Sequence, residues 1–243
     1  MISKIDKESF YMNFTYTDFL ASFGIGGAHP GSLELTKDLL RNEDINAASK
    51  ILDIGCGTGQ TIEYIASHYN CATTGIDRHA GMITKAQKRI AKQKSKAKLV
   101  VGEAESLPFP DQSFDYVLSE SVTAFTNIPE ALQEYHRVLA SSGKLIMIEI
   151  TKQSPLDDEQ INELTSFYGF TQVWEEQEWV QQLTEAGFSN VRVTNPTINQ
   201  THSAEYALDE SIDETTFHWL MQHQQLTEKY HDQTGARIYY CQK

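Results

Sequence analysis

From Lys50 onward the chain alternates between two hydrophobic rhythms. Short, almost uninterrupted apolar runs at residues 51–54, 72–76, 99–101, 116–118 and 145–150 read as strands, and the stretches 60–68, 82–93 and 129–139 between them read as helices. These runs lack the period-two alternation of a half-exposed sheet. Both of their faces must be covered, as in parallel strands joined by helical crossovers, so the order predicts an open α/β sheet. After Ile150 the rhythm changes. Helices are predicted at 157–166 and 175–186, the second closed by Gly187, then a strand at 191–194, a helical insertion over 203–231 and a final strand at 237–241. Before Lys50, six aromatics (Phe10, Tyr11, Phe14, Tyr16, Phe19, Phe23) precede a glycine-rich turn at 24–31, and Ser32 reads as the N-cap of a helix through Leu40.

Composition narrows the class. The chain has 243 residues, 40% of them hydrophobic and 22% charged, which is ordinary for a globular protein that needs neither metal nor disulfide to fold. Its three cysteines, Cys56, Cys71 and Cys241, form no C-x-x-C pair, so neither a disulfide scaffold nor a zinc site is expected. No apolar run reaches the roughly 18 residues of a membrane span, and the start is too charged for a signal peptide, so a cytoplasmic protein is expected. The net charge is −13, with −3 carried by residues 1–150 and −10 by residues 151–243. Such a surface repels phosphate backbones and anionic lipid, which argues against nucleic acid or membrane as the main partner. The one basic stretch, Lys85 to Lys98, has no interleaved aromatics and reads as a solvated helix face.

The candidate chemistry lies in four blocks. Ile51-Leu52-Asp53-Ile54-Gly55-Cys56-Gly57-Thr58-Gly59-Gln60 is a buried strand running into a glycine turn and a helix, where backbone N–H groups face a ligand. The dinucleotide fingerprint G-x-G-x-x-G fails at Gln60, so a nicotinamide enzyme fits poorly. Asp77 ends the second strand, placed to accept hydrogen bonds from both hydroxyls of a ribose or to cap the next helix. After the third strand comes Val101-Gly102-Glu103-Ala104-Glu105-Ser106-Leu107-Pro108-Phe109, where an acid and the following backbone N–H can read an adenine edge. The fourth block is Glu134-Tyr135-His136-Arg137-Val138-Leu139 with Ala140-Ser141-Ser142-Gly143 before the fifth strand.

In this order and spacing the blocks resemble the class I S-adenosylmethionine-dependent methyltransferases, especially the small-molecule branch with the ubiquinone and menaquinone methyltransferases. The resemblance is strong over 48–151 and extends weakly to the end through Leu183-Thr184-Glu185-Ala186-Gly187-Phe188. It implies a Rossmann-like, mostly parallel seven-stranded sheet with helices on both faces and the last strand antiparallel. It implies one domain: an aromatic cap or lid at 1–47, a cofactor-binding core at 48–151 and a helical insertion at 195–232. By the same resemblance Asp53 orients the glycine loop, and Gly55, Gly57 and Gly59 pass beside the methionine part of the cofactor. Asp77 holds the ribose, Arg78 and Met82 flank the adenine, and Glu103 with the Ala104 amide reads its edge. Ser119 and Glu120 face the methionine end and the substrate. Two departures stand out. Glu103 replaces the family's aspartate, and Ala140-Ser141-Ser142-Gly143 replaces a Pro-Gly-Gly turn.

The implied reaction is an in-line displacement at a sulfonium methyl, for which orientation supplies much of the rate. If the acceptor must shed a proton, His29 and Glu120 are the candidate bases, while Glu149, still inside the fifth strand, reads as structural. Cys56 reads as a small filler rather than a nucleophile. The aromatic segment at 10–23 reads either as core or as a lid that excludes water. Two other classes compete: an aminopropyl-type transferase, which would want a cluster of pocket aspartates, and a cofactor-binding module without catalysis.

Overall fold

The computed structural model describes residues 14–23, 25–26, 30–93, 97–196, 205–206 and 214–243. Strand β1 is Ile25–Gly26, and β2 is Lys50–Ile54, exposed at Lys50 and buried at its next four residues. β2 runs parallel to β3 (Ala72–Asp77) on one side and to β5 (Phe114–Glu120) on the other. β4 (Ala97–Val101) lies beyond β3, and β6 (Leu139–Lys152) beyond β5, both parallel. The closing strand β9 (Thr234–Gln242) runs antiparallel between β6 and β7 (Ser189–Thr194). Among the described residues the main sheet therefore reads β4-β3-β2-β5-β6-β9-β7, with the last strand antiparallel as the resemblance implies.

Successive side chains of a strand leave on opposite faces, and the sheet divides its apolar residues accordingly. Ile51, Leu118, Ile146, Ile148 and Ile238 pack on one face against Leu35, Leu39 and Leu40 of α2 (Ser32–Arg41) and Ile65 of α3 (Gln60–His68). Their neighbours Leu52, Val117, Leu145, Met147 and Tyr239 pack on the other against α5 (Ile128–Val138) and α7 (Glu176–Glu185), with Trp179 fully buried. Helix α4 (Ala80–Gln93) links β3 to β4. A third cluster stands apart from both faces. It joins Tyr16 and Phe19 of α1 (Tyr16–Phe23), Leu164 and Tyr168 of α6 (Asp158–Tyr168), and Leu226 and Tyr230 at the end of α8 (Glu214–Lys229). No helix of the described residues is long and apolar enough to cross a membrane.

Three expectations need correction. The N-cap of α2 is Gly31, at φ 86°, whose carbonyl accepts from Leu35 N at 3.1 Å. Ser32, itself at φ 51°, lacks the extended backbone from which a serine cap reaches the helix. The 140–143 segment is strand rather than a turn: β6 begins at Leu139, pairs there with Phe114, and absorbs the irregularity as a register shift before Tyr116. The 203–231 insertion is not helical throughout, because β8 (Glu205–Tyr206) pairs antiparallel with β1, and only Glu214–Lys229 of the described part is helix.

Candidate functional site

The strand order reverses between β2 and β5, and in open α/β sheets such a reversal opens a crevice at the carboxyl ends of the strands. A cavity of about 660 Å³ lies there. Asp53, Gly55, Gly57, Asp77, Arg78, Met82, Glu103, Ala104 and Glu120 all line it, so side chains spread over 68 positions of sequence meet around one space. Parallel pairing explains the convergence. Asp53 is level with Gly75 and Leu118, and the neighbouring strands run out together at Ile54, Asp77, Val101 and Glu120.

The glycine loop is fastened from below. Asp77 accepts from Gly57 N at 2.9 Å through Oδ2 and from His79 N at 2.8 Å through Oδ1, so it ties the glycine loop to the start of the next segment, and each of its oxygens has a further lone pair. Glu120 is held by two helices, accepting from the Thr36 hydroxyl at 2.7 Å and the Thr61 hydroxyl at 3.1 Å. Asp53 is 3% exposed, and its Oδ2 has no hydrogen-bond partner. Burial, reinforced by the charges of Glu120 and Asp77, pushes its carboxyl well above the usual range. Three acids gather around one loop, one of them with a buried unpaired oxygen, and against the single guanidinium of Arg78 the described lining residues leave the site short of positive charge. A ligand carrying a sulfonium and an ammonium supplies it, and S-adenosylmethionine fits on that ground. Cys56, buried and with its thiol pushed up by desolvation, fills space under Gly75 and is inert.

Two expected contacts lie elsewhere. Gly59 is outside the cavity lining; at φ 79° it caps α3, and a Cβ there would stand 2.9 Å from the Ala86 Cβ of α4, so its smallness serves helix packing. Ser119 is fully buried, with its hydroxyl 2.9 Å from that of Thr123. Alternation along β5 turns Glu120 to the cavity and Ser119 away from it. His29 lies outside the described residues.

The fourth sequence block has a concrete task. Glu134 accepts from Leu107 N at 2.7 Å and from Arg137, whose guanidinium also donates to the Phe109 and Leu107 carbonyls at 2.8 and 3.0 Å and to Asp111. The pair clasps the loop after β4 that carries Glu103 and Ala104.

The lining also includes Glu149, read from the sequence as a structural strand acid, and two residues the sequence reading did not single out, Tyr168 and His223. Glu149 is fully buried and accepts from the backbone N–H groups of Val122, Thr123 and Ala124 at 3.2, 2.7 and 3.3 Å. Burial nevertheless pushes its carboxyl up to about 7. Tyr168 and His223 line the cavity together, the tyrosine hydroxyl 3.2 Å from His223 Nδ1. Helix α1 is fastened beside the glycine loop: Arg78 donates to the Thr17 hydroxyl at 3.2 Å, His79 Nε2 lies 3.3 Å from Asp18, and Lys85 Nζ donates to the Ala21 carbonyl at 2.6 Å.

Comparison with known proteins gives this geometry a lineage. A family model described as a methyltransferase domain matches residues 52–147. An uncharacterized methyltransferase of Bacillus subtilis (strain 168), YodH, is 36% identical over 231 residues, 94% of this chain and 99% of that protein. A demethylmenaquinone methyltransferase of Staphylococcus aureus (strain JH9) is 31% identical over 183 residues, 65% of this chain and 75% of that protein. Phosphoethanolamine N-methyltransferase 2 of Haemonchus contortus, solved with S-adenosyl-L-methionine, shares the fold at a TM-score of 0.78 and 19% identity, covering all of this chain and 60% of that one. A glycine loop at the reversal point, a matching domain model and two relatives above 30% identity converge: the chain belongs to the class I S-adenosylmethionine-dependent methyltransferases.

Proposed function

We propose that this protein is a cytoplasmic, single-domain enzyme that transfers the methyl group of S-adenosylmethionine to a small-molecule acceptor rather than to nucleic acid or lipid surface. The observation that carries the reading is the buried, unpartnered Oδ2 of Asp53 between the charges of Asp77 and Glu120, a negative pocket matched to a cationic donor. Asp53, Gly55, Gly57 and Glu120 would hold the methionine end, Asp77 the ribose, and Arg78, Met82, Glu103 and Ala104 the adenine. Bound there, the donor supplies an electrophilic methyl group with its own leaving group. The chain then has to bind, orient and exclude water. Isothermal titration with S-adenosylmethionine tests this directly, and no heat of binding up to millimolar concentration would sink it.

Asp77→Ala is expected to weaken that binding at least tenfold. It removes the acceptor assigned to the ribose and frees the Gly57 N–H that fixes the loop, and hydrogen bonds to a charged partner are worth about 1.5–3 kcal/mol each. Titration of the variant checks it; parent affinity would refute the assignment.

Helix α1 is read as the cap of the same site. It joins the donor side through Thr17, Asp18 and Ala21, and buries Tyr16 and Phe19 against α6 and α8. Closure over a bound donor would hold water out of the reaction. Limited proteolysis between Gly24 and Gly31 is expected to slow when S-adenosylhomocysteine is added. Equal rates with and without it would leave α1 as permanent core.

A further inference from the structure

The cavity continues into a lobe roofed by α1, α6 and α8 that none of the four sequence blocks builds. Its walls are ring faces. Tyr16 lies parallel to Phe125 at 6.4 Å and edge-on to Tyr168 at 4.9 Å, while Tyr168 stacks on Phe170 at 4.9 Å. Rings in such arrangements receive another planar ring in the same offset and edge-to-face geometries.

Charge in the lobe decides between acceptors. Among the described lining residues Arg78 alone carries a guanidinium or ammonium group, and it sits at the Asp77 end, donating to Thr17. Against the described lining residues of α1, α6 and α8 a phosphate or carboxylate on the acceptor would find no cationic partner, and burying it so is costly. For a cationic acceptor the described lining residues of α1, α6 and α8 include no carboxylate, and of the acids at the junction Glu120 is assigned to the donor while Glu149 is turned to backbone N–H groups.

Several lining groups can take a proton, Glu149 and His231 among them, and His223 is the one whose ring packs against Tyr16 and Tyr168. His223 projects from α8 with Nδ1 paired to the Tyr168 hydroxyl, and burial lowers its pKa, which favours the neutral ring. In the tautomer that donates Nδ1–H to the tyrosine oxygen, Nε2 holds the lone pair that can take a proton.

We infer that the methyl acceptor is an uncharged hydroxylated aromatic molecule held between these rings, and that His223 takes the proton of its hydroxyl. The inference rests on the donor reading above. In the step, the acceptor O–H bond breaks and its proton passes to Nε2 of His223, while the electron pair stays on oxygen. The oxygen forms its bond to the methyl carbon as the carbon–sulfur bond breaks and leaves its pair on sulfur. The imidazolium then releases the proton to solvent. Tyr168 is the positioning residue that fixes which nitrogen faces the acceptor.

The test uses the full chain and three kinds of probe: 1-naphthol and catechol as neutral aromatic hydroxyls, phosphoethanolamine as an acceptor bearing phosphate, and 2-(dimethylamino)ethanol as a cation. Binding to the S-adenosylhomocysteine complex is read by calorimetry, and turnover by S-adenosylhomocysteine release. An aromatic hydroxyl is expected to bind at least tenfold tighter than the other two and to be methylated. His223→Gln is expected to lower that turnover by roughly 100-fold or more while S-adenosylmethionine affinity stays within twofold, and imidazole is expected to restore part of the rate of His223→Ala. Failure of both aromatic probes to bind, failure of both to be methylated, tighter binding of phosphoethanolamine or of the cation, or parent turnover by His223→Gln would each overturn it. S-adenosylmethionine titration alone reports on the donor reading, so a protein that binds donor but refuses the aromatic hydroxyls fails here and not there.

Discussion

A Gly57→Val protein is expected to fold and to show no measurable binding of S-adenosylmethionine at concentrations that saturate the parent. The two halves of that expectation have separate causes. A Cβ at Gly57 would meet nothing nearer than the Gly55 carbonyl oxygen at 4.0 Å, so the protein itself leaves room for a side chain. That room is the cavity, because Gly57 lines it. An isopropyl group would therefore occupy ligand space rather than strike the core. The backbone cost is finite: φ is 51°, a left-handed conformation that costs an L-residue about 1–2 kcal/mol and a β-branched one more. For a chain of this size each kcal/mol lowers Tm by about 2–4 °C, which leaves a folded protein. Gly55→Ala is the contrasting variant. Its Cβ would fall 2.3 Å from Cγ2 of Val122, so the damage there is to packing beside the 3-10 turn at 123–125 and is read in Tm first. Melting curves with and without S-adenosylhomocysteine separate the two, since ligand protection follows occupancy and should vanish for Gly57→Val. Parent affinity in a folded Gly57→Val protein would remove the loop from the site.

The centre of the sheet was legible because its strands are buried on both faces and so carry an unbroken apolar signal: the last four residues of β2 are buried, and five of the seven positions of β5. The glycine loop and Asp77 were legible because one local motif, strand to turn to helix, carries them. What escaped depends on contacts between distant segments. The Glu134 and Arg137 clasp reaches back some thirty residues to the Leu107 and Phe109 carbonyls, a distance over which no periodicity runs. Glu149 sits mid-strand, where an acid reads as structural. Its standing comes from three N–H groups of the 3-10 turn at 123–125 and the residue before it, which no local pattern around residue 149 shows. His223 was in principle readable. Leu220, His223, Leu226, Thr227 and Tyr230 follow the i, i+3, i+4, i+7 spacing of one helix face, and all five line the cavity. Reading 203–231 as an undifferentiated insertion hid that stripe. Ser119 shows the converse error. Next to Glu120 in sequence, it faces the opposite side of the sheet.

Asp53→Asn is expected to make the ligand-free protein more heat-resistant and the enzyme worse. In the parent the carboxylate is buried, leaves Oδ2 unpaired, and stands in the field of Glu120 and Asp77. All three conditions disfavour its charge, so its pKa in the folded state lies well above 3.8. The sign follows from proton linkage. An acid whose folded pKa exceeds its unfolded one binds more protons when folded, so its contribution falls as pH rises through the interval between the two values and stays low above it. Below the unfolded value the penalty is absent. The amide carries no such penalty at any pH. The Tm difference between variant and parent should therefore be small at pH 4, grow as pH is raised, and reach several degrees at pH 8. Donor binding should move the opposite way. A cation beside Asp53 draws the carboxylate into its charged form, and an amide cannot return that attraction, so affinity for S-adenosylmethionine is expected to fall at least tenfold. The neutral thioether of S-adenosylhomocysteine lacks the sulfonium charge, so its affinity should fall less. Paired melts across pH 4–8 and titrations with both ligands check the argument. Equal or lower Tm for Asp53→Asn at pH 8, or equal losses for the two ligands, would show that Asp53 is not answering to a cation and that the strain of its burial is relieved in some other way.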